Sequence, residues 1–396
     1  MPRVSLEASV ASPDLALADK VDFLSRATTY GLSDGEKVDI RETHMSWVFL
    51  AGERVYKLKK PVRFPYLDFS TLARRETACR AEIRLNRRLA PSIYLDVIPL
   101  VLTQRGLALG GSGEIVDWLV VMRRLNEQWT LEHALTDSHV DSSQLDRLVT
   151  ALVDFYRRAQ PIFTTPAVQL AEWRRSLINN SRTLLDPRLG LPSPLVRRLD
   201  HIQSSFLTHC ADLLVDRVRR RRIVDGHGDL RPEHIWLSDG IKIIDCLEFN
   251  AQLRAVDPFD ELAYFSLECE RLGAGWAGEY CRHRIVQGLH DDPPEALYRF
   301  YRCHRAQLRA RLAIAHLLEP KPRTPEKWPR VSRAYLDIAS HDASYLERFI
   351  RRRQDRSVIF HYSSAISLRQ RVALRAKPEP SFERAPTPAE TAAQHL

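Results

Sequence analysis

The residues best suited to chemistry lie close together in the sequence. Within residues 224–245 the chain carries two imidazoles and two carboxylates that only a few positions separate: His227, Asp229, His234 and Asp245. Carboxylates and imidazoles gathered at one place can bind a divalent metal or transfer protons. This stretch therefore predicts a site for metal-assisted chemistry or proton transfer, provided that the fold brings these side chains together.

A predicted β-hairpin would bring them together. Two short apolar runs flank the pair Asp239–Gly240, and both residues of this pair accept the positive φ angles of a two-residue hairpin turn. With this pair at the centre of the turn, antiparallel pairing places His234 opposite Asp245. Directly opposed residues have Cβ atoms roughly 5 Å apart. The pattern therefore predicts that His234 and Asp245 meet, with Asp229 at the head of the same loop.

The same stretch resembles a known family. The sequence HGDLRPEH at 227–234 and the sequence IIDCLEF at 243–249 are similar to the catalytic loop and the metal aspartate of aminoglycoside phosphotransferase-like kinases. These kinases are relatives of choline kinase and of the protein kinases. The resemblance implies that Asp229 accepts the proton of an acceptor hydroxyl. It also implies that Asp245 binds the metal that bridges the β and γ phosphates of ATP.

The resemblance implies further roles within this stretch. Arg231 is similar to a basic residue that many kinases direct at the γ-phosphate, and its guanidinium is always charged. His227 is expected to brace the loop by hydrogen bonding. Glu248 either supplies a second oxygen ligand to the metal or faces water. The implied cofactors are ATP and Mg²⁺, with Mn²⁺ as an alternative metal.

One position departs from the family pattern. The family has an asparagine five residues after the catalytic aspartate, and this chain has His234 there. Magnesium prefers oxygen ligands, so an imidazole is a poor substitute for an amide oxygen. Three alternatives remain open. His234 replaces the asparagine as a metal ligand with altered metal preference, Glu233 or Glu248 supplies the missing oxygen, or the second metal is absent.

An upstream segment supplies a cation for phosphate binding. Two β-rich runs, about 46–50 and 54–59, surround a glycine-containing turn and predict a hairpin. Strand alternation places Lys57 and Lys59 on one face of its second strand. In the resembling family a lysine on the third strand holds the α and β phosphates and pairs with a glutamate on the following helix.

The predicted helix after this hairpin carries the matching glutamate. It extends from Phe69 to about Leu89, with Ser70 as its cap. The resemblance implies the pair Lys57 and Glu82, because Glu82 lies about two turns before the helix ends. Lys59 is the alternative phosphate-binding lysine.

The remaining nucleotide contacts are expected on either side of this helix. The stretch 42–46 lacks a Gly-x-Gly-x-x-Gly pattern, but aminoglycoside-type kinases often use a short polar loop instead, which makes Ser46 a candidate phosphate contact. The segment 122–125, beginning at Met122, is the expected hinge whose backbone holds adenine. No G-x-x-x-x-G-K-[ST] motif occurs, which excludes a P-loop ATPase.

The expected fold class is α+β, a two-lobed protein-kinase-like fold. A small antiparallel sheet of about five strands with one long helix forms one lobe, and the other lobe is larger and mainly helical. The predicted boundaries are a disordered N-terminus at 1–19, the nucleotide-binding N-lobe at 20–122, the helical C-lobe with the acceptor site at 123–376, and a disordered tail at 377–396. The helices of the C-lobe are predicted at about 142–159, 166–182, 194–218, 257–271, 274–288, 294–318 and 328–353.

Composition limits the class of protein. The 396 residues suit two lobes or two domains, and the hydrophobic content of 44% is sufficient for ordinary cores. The six cysteines form no C-x-x-C pair, which fits neither a disulfide framework nor a zinc knuckle and predicts a cytoplasmic location. We expect no membrane association, since no apolar run approaches the ~20 residues that span a bilayer and no signal peptide is evident.

The net charge of +9 raises the question of anionic partners. The basic clusters 217–222 and 351–353 can attract phosphates, but no aromatic residues are interleaved, so solvated helix ends are the favoured interpretation and nucleic acid is not an expected partner. Arg302, Arg305 and Arg309 share one helical face, which either suits an anionic acceptor or is simply solvated. The sequence does not indicate an oligomeric state.

Three functions compete. The first is a kinase that phosphorylates a hydroxyl of a small-molecule acceptor with ATP and a divalent metal. The second is a metal-dependent phosphoesterase built on the same histidines and aspartates, which leaves the lysine and glutamate without a role. The third is a non-catalytic pseudokinase that binds nucleotide.

Overall fold

An antiparallel sheet forms near the N-terminus, where segments alternate between apolar and polar residues. The computed structural model describes residues 15–33, 35–319 and 322–375. Six strands make one sheet in the order β1-β2-β3-β8-β6-β7, and β4 and β5 pair separately. The elements of this part are α1 Leu17–Leu24, β1 Asp39–Glu42, β2 Ser46–Ala51, β3 Arg54–Lys59, β4 Arg63–Phe64, β5 Leu67–Asp68, α2 Leu72–Asn86, β6 Tyr94–Thr103, β7 Gly106–Leu109 and β8 Glu114–Arg123.

Alternation along β3 sorts its side chains onto the two faces of the sheet. Tyr56 and Leu58 are buried in a core that includes Leu24 of α1. Lys57 and Lys59 lie on the opposite face and both contact α2. Their shared face, which the sequence pattern predicted, is thereby confirmed. The sheet is covered by a helix on each side, and the lysines lie under the longer one.

The helix α2 is shorter than predicted and has a different cap. It begins at Leu72, and the hydroxyl of Thr71 accepts a hydrogen bond from the N–H of Arg74 at 3.3 Å. The prediction of Ser70 as cap was wrong. The Ser70 hydroxyl instead donates to Asp68 at 2.6 Å, which uses the side chain in a local turn before the helix begins.

The rest of the described chain is mainly helical. Its helices are α3 Leu131–Thr136, α4 Ser142–Arg158, α5 Pro166–Leu184, α6 Ser193–His209, α7 Ala211–Arg219, α8 Pro258–Arg271, α9 Gly275–Leu289, α10 Glu295–Ala315 and α11 Lys327–Arg375. The helix predicted at 194–218 is two helices, because Cys210 has φ −132° and ψ 19° and interrupts the helical backbone. A small antiparallel sheet and a larger helical part confirm the expected α+β, two-lobed fold class.

Four short strands frame the loop that carries Asp229. They are β9 Val224–Asp225, β10 Ile235–Trp236, β11 Lys242–Ile243 and β12 Ala255–Val256. β9 pairs with β12, and β10 pairs with β11, both antiparallel. The predicted hairpin is therefore present, and Asp239 and Gly240 have the expected positive φ angles of 46° and 88°.

The predicted register of this hairpin was wrong by one residue. Trp236 pairs with Lys242, so the connecting loop is 237–241 and His234 lies opposite Ile244. The N–H of Ile244 donates to the carbonyl of His234 at 3.0 Å. The shift arises because the N–H of buried Leu237 donates to the carbonyl of Trp129 at 2.9 Å, which takes Leu237 out of the hairpin ladder.

The described chain divides into two compact units, one ending at residue 346 and the other beginning at residue 347. The predicted disordered ends, 1–19 and 377–396, lie largely outside the described residues, although α1 already begins at Leu17. None of the described helices combines the length and the apolar character that a membrane crossing requires. The predicted boundary between lobes at 122 and 123 stays a prediction.

A buried group of ion pairs fixes the start of α8, the helix that contacts the backbone of the Asp229 loop. Arg217 of α7 donates to both oxygens of Asp257 at 2.6 and 3.0 Å, and to both oxygens of Asp291 at 2.7 and 2.8 Å. Asp257 also caps α8 by accepting from the N–H of Phe259 at 2.9 Å. All three charged side chains are buried, so none has water as an alternative partner.

We expect Arg217→Ala to lower the free energy of unfolding by about 3–5 kcal/mol, because it removes the buried cation of Asp257 and leaves Asp291 paired with the more exposed Arg222. Arg220→Ala is the matched control. Arg220 pairs with Asp216 at an exposed position of the same helix end, where loss of an ion pair costs about 0–1 kcal/mol. Urea unfolding of both variants measures the difference. Equal losses in the two variants would contradict the role assigned to Arg217.

Candidate active site

Four charged side chains, two of them fully buried, meet between the sheet and α2. Lys57 Nζ lies 2.9 Å from Glu82 Oε1, and Lys59 Nζ lies 2.6 Å from Glu82 Oε2. Lys59 also lies 2.5 Å from Glu248 Oε1. Glu82 thus pairs with both candidate lysines. Burial opposes the charged form of Glu82, but the two ammonium groups reverse this effect and lower the pKa of its carboxyl.

The two lysines differ in what else they contact. Lys57 Nζ lies 3.0 Å from Asp245 Oδ1, and Lys57 remains 15% exposed. The Lys59 side chain is 1% exposed, and its ammonium lies 5.0 Å from the centre of the Phe69 ring. Lys57 therefore faces the accessible side of the cluster, whereas Lys59 is enclosed within it.

Asp245 is held in an unusual backbone conformation. Its φ is +65°, a region that residues with a Cβ seldom adopt and that costs free energy unless the surroundings impose it. The hydroxyl oxygen of Tyr94 accepts from the N–H of Asp245 at 3.2 Å, and the side chain of Asn86 accepts from the next N–H, that of Cys246, at 2.9 Å. The Lys57 charge lowers the pKa of the Asp245 carboxyl, whose side chain is 49% exposed. An ionised, accessible carboxylate results.

Asp229 is covered by its neighbour in the sequence. Arg231 places Nε 2.9 Å from Asp229 Oδ1 and donates from Nη2 to Oδ2 at 3.0 Å. Burial alone would raise the pKa of Asp229, but the charge of Arg231 outweighs it and the pKa falls well below its usual range. Arg231 also lies 2.5 Å from Glu233 Oε1. The arginine therefore bridges two carboxylates at the mouth of the loop.

His234 has both ring nitrogens engaged. Nδ1 lies 2.9 Å from the carbonyl oxygen of Asp229, which can only accept, so Nδ1 donates. Nε2 lies 3.1 Å from Nη2 of Arg231, which can only donate, so Nε2 accepts. Nε2 is also 3.9 Å from Asp245 Oδ2, beyond hydrogen-bonding distance. His234 thus orients Arg231 and the Asp229 backbone.

His227 joins the loop to the hairpin. Its Nε2 donates to the carbonyl of Ile244 at 2.9 Å, and its Nδ1 accepts from the N–H of Asp229 at 3.3 Å. The side chain is buried, and burial lowers its pKa to about 4, so the ring is neutral at pH 7. His227 therefore links the backbone of Asp229 to that of Ile244, the residue before Asp245. These hydrogen bonds are of the kind that the predicted bracing role requires.

The other predicted site residues lie in different surroundings. Glu248 contacts Lys59 rather than the group of Asp229, His234 and Asp245. Ser46 is 2% exposed at the start of β2, opposite Lys59. Met122 pairs with Val55 near the end of β8. The predicted roles of these residues in metal and nucleotide binding stay predictions.

Sequence reasoning missed the group that holds the loop carrying Asp229. Glu261 of α8 is fully buried and accepts hydrogen bonds from the N–H of His227 at 3.1 Å, from the N–H of Gly228, and from the Tyr156 hydroxyl at 2.8 Å. A Cβ at Gly226 would lie 2.7 Å from Glu261 Oε2, so the backbone approaches the carboxylate closely. The sequence gave little signal, because Glu261 follows Asp260 in the first turn of a helix, where carboxylates are common.

Arg88 was also missed. It follows α2 and donates from Nη1 to the carbonyl of Asp225 at 2.9 Å and from Nη2 to the carbonyl of Gly226 at 2.8 Å. These bonds tie the end of α2 to the start of the Asp229 loop. No local pattern marks such an arginine, because its partners are backbone carbonyls distant in the sequence.

The residues present fit one magnesium ion. Mg²⁺ usually binds one or two protein carboxylates together with phosphate oxygens and waters, and the half-exposed carboxylate of Asp245 is such a donor. His234 does not fit as a second magnesium ligand, because its nitrogens are engaged and because the ion prefers oxygen. Glu248 would have to leave Lys59 to supply that oxygen.

The arginine face of α10 is neutralised within the fold. Arg302 and Arg305 are buried, and they pair with Asp342 and Asp260 respectively. Arg309 donates to Glu268 at 2.8 Å. Neither the solvated face nor the open anionic site considered from the sequence agrees with these contacts, because the acidic partners come from other helices.

Comparison with known proteins gives relatives without an established activity. No family model matches the chain. Uncharacterized proteins of Mycobacterium tuberculosis and Mycobacterium bovis are each 33% identical to it over 294 residues. The match covers 74% of this chain and 57% of each relative, so the chain spans little more than half the length of the curated relatives that it matches.

Three solved structures are similar to this chain over most of its length. A choline/ethanolamine kinase family protein from Mesorhizobium loti has a TM-score of 0.44 at 14% identity, covering 83% of this chain and 94% of that chain. LicA in complex with AMP has a TM-score of 0.47 at 13% identity, covering 83% and 99%. An aminoglycoside phosphotransferase from Alicyclobacillus acidocaldarius has a TM-score of 0.38 at 11% identity, covering 79% and 92%.

We expect Glu261→Ala to destabilise the loop that carries Asp229, because it removes the acceptor of three buried donors, each worth about 1–3 kcal/mol when left unpaired. Hydrogen–deuterium exchange at residues 227–229 should become faster, and the melting temperature should fall. Tyr156→Phe is the control: it removes one donor and leaves the carboxylate on the loop, so exchange there should change little. Unchanged exchange in Glu261→Ala would contradict this role.

Proposed function

We propose that this chain is an ATP-dependent phosphotransferase of the aminoglycoside phosphotransferase-like and choline kinase-related type, acting on a hydroxyl of a small molecule. The observation that carries the proposal is the position of Lys57 Nζ, 2.9 Å from Glu82 on α2 and 3.0 Å from Asp245. A lysine paired with a helix glutamate beside a metal-binding aspartate is the arrangement with which kinases bind ATP phosphates. The order of these elements in the chain supports the same interpretation.

In the proposed reaction the acceptor oxygen attacks the γ-phosphorus, the bond to the ADP oxygen breaks, and Asp229 accepts the acceptor proton. The lowered pKa of Asp229 keeps this group ionised at neutral pH. Such a carboxylate is a weak base, but it orients the hydroxyl and takes the proton late, which suffices for phosphoryl transfer through a loose transition state. The guanidinium of Arg231 pairs with Asp229 and can reorient to contact the γ-phosphate.

The nucleotide site lies on the lysine-bearing sheet. We propose that Lys57 contacts the α and β phosphates and that Ser46 and Met122 supply the phosphate-loop and adenine contacts, the latter through the backbone. Asp245 would hold Mg²⁺, and the bound ion would supply positive charge to the phosphates. Glu82 keeps Lys57 in position, since it contacts the ammonium at 2.9 Å.

We also propose a cytoplasmic location. All six cysteines are buried and the sequence has no C-x-x-C pair, which is typical of proteins in a reducing compartment.

The two lysines should fail in different ways when substituted. We expect Lys57→Met to weaken ATP binding by about 10- to 100-fold, the value of a charged hydrogen bond, with a small loss of stability because Glu82 keeps Lys59. We expect Lys59→Met to lower the free energy of unfolding by about 3–5 kcal/mol, because Glu82 and Glu248 lose a fully buried cation. Calorimetric titration with ATP and Mg²⁺, and urea unfolding, measure the two effects.

Each lysine variant is the control for the other. Equal ATP affinity in Lys57→Met and in the unsubstituted chain would contradict the assignment of Lys57. A folded Lys59→Met variant with unchanged stability and lost ATP binding would transfer the phosphate role to Lys59.

We expect Asp229→Asn to lower ADP formation by about 10²- to 10⁴-fold, the contribution of a positioned general base, while ATP binding stays intact. Coupled detection of ADP over a panel of hydroxyl-bearing metabolites measures the rate. Asp239→Asn is the matched control, since Asp239 lies exposed in the loop of the neighbouring hairpin.

The same panel separates the competing functions. Intact ATP binding with no ADP formed over the whole panel would replace the kinase with a non-catalytic nucleotide-binding protein. Metal-dependent hydrolysis of a generic phosphate ester without ATP, lost in Asp229→Asn, would replace it with a phosphoesterase.

A further inference from the structure

Three potential metal ligands meet away from the candidate active site. His44 lies in the loop 43–45 between β1 and β2. His316 and Glu319 lie directly after α10, more than 270 positions later in the chain. The three side chains are partly exposed, at 54%, 28% and 32% respectively, so an ion could enter from solvent.

The donor atoms form a compact triangle with one atom from each residue. His44 Nε2 lies 3.2 Å from His316 Nδ1 and 3.4 Å from Glu319 Oε1, and His316 Nδ1 lies 2.8 Å from the same oxygen. Zinc binds histidine nitrogen and carboxylate oxygen at about 2.0–2.2 Å, which separates the ligands of a tetrahedral site by roughly 3.3–3.5 Å. The observed triangle is close to one face of that tetrahedron.

The convergence is specific within the described residues. Among them this is the one group of three histidine, cysteine, aspartate or glutamate side chains whose ligand atoms all lie within 4.8 Å of one another. The group of Asp229, His234 and Asp245 does not meet that condition. The six cysteines are buried, so no thiol on the surface of the described chain competes for a soft metal.

The surroundings hold the ligands in place. The indole of Trp328 stacks on the His316 ring with centroids 3.9 Å apart and an angle of 11°. The Trp328 Nε1 donates to the carbonyl of Arg323 at 2.8 Å, and the Arg323 side chain pairs with Glu42. Lys60 also contacts Glu42, at 2.5 Å. Glu42 thus offsets the nearby cations, and the segment that follows α10 already contacts the end of β1.

We propose that His44 Nε2, His316 Nδ1 and Glu319 Oε1 bind one zinc-type divalent cation, with water as the fourth ligand. The ion ties the loop 43–45 to the end of α10. Because Ser46 follows this loop and pairs with Lys59, the ion also holds the start of β2, the strand beside the lysine-bearing β3. Magnesium is not the expected ion, since it takes oxygen rather than nitrogen ligands. The binding itself does not depend on the proposed phosphotransferase activity.

The test uses the full chain after chelator treatment and titrates it with Co²⁺, whose tetrahedral complexes absorb strongly in the visible range. We expect one equivalent to produce these bands and Zn²⁺ to displace it. His44→Ala and His316→Ala should each weaken Zn²⁺ binding by more than about 100-fold, because even partners outside the ligand shell are worth about 10- to 100-fold. Circular dichroism verifies that both variants are folded.

A matched control removes a histidine that has only one acidic partner. His133 pairs with Asp137 at 3.2 Å, and both side chains are exposed. His133→Ala should therefore leave the Zn²⁺ affinity unchanged. Zn²⁺ should also slow hydrogen–deuterium exchange in residues 43–46 of the unsubstituted chain and not of His44→Ala.

Three results would overturn the proposal. The first is the absence of stoichiometric Zn²⁺ binding. The second is a Zn²⁺ affinity in His44→Ala and His316→Ala equal to that of the unsubstituted chain. The third is an ion that these two variants retain but His234→Ala loses. None of these measurements uses ATP, so a failure of the phosphotransferase proposal leaves the result interpretable.

Discussion

The site depends on the charges buried around Glu82. The Glu82 carboxylate pairs with two lysines of β3, Lys57 and Lys59. Lys57 also pairs with Asp245, and Lys59 also pairs with Glu248. Removing ions from water is costly, and only close pairing offsets that cost. The cluster therefore constrains three elements at once: the sheet, α2 and the segment after β11 must meet at this point, or a buried charge is left alone. The location of Asp245 relative to the sheet follows from that requirement.

Backbone contacts complete the placement of the reactive groups. Glu261 accepts the N–H groups at the start of the loop, and neutral His227 joins the loop to the hairpin. Tyr94 accepts the N–H of Asp245, whose left-handed conformation persists because several neighbours impose it. Rigid support of this kind leaves few charged groups accessible. Asp245 and Glu233 remain 49% and 37% exposed, and Asp229 and Lys57 remain 18% and 15% exposed.

Charge along the sequence is a poor guide to charge on the surface. The chain carries a net charge of +9, and α10 concentrates arginines on one face. Those arginines pair with buried carboxylates of other helices, as in the contact of Arg305 with Asp260 at 2.6 Å. Arg217 likewise pairs with two buried aspartates, Asp257 and Asp291. These four arginines therefore join helices of the fold through ion pairs.

The sequence by itself determined the elements and the identity of the candidate groups. Alternation and turn residues predict the β2–β3 hairpin with its two lysines, and helical periodicity predicts most helices within a few residues. Local patterns are sufficient there because hydrogen bonds and apolar faces repeat at short range. The tertiary structure decided what those patterns cannot contain. In the structure the register at His234 differs by one residue, Glu248 pairs with Lys59, and Glu261 contacts the backbone of the Asp229 loop. Each of these outcomes depends on a charge or backbone group that is distant in the sequence and buried beside the residue.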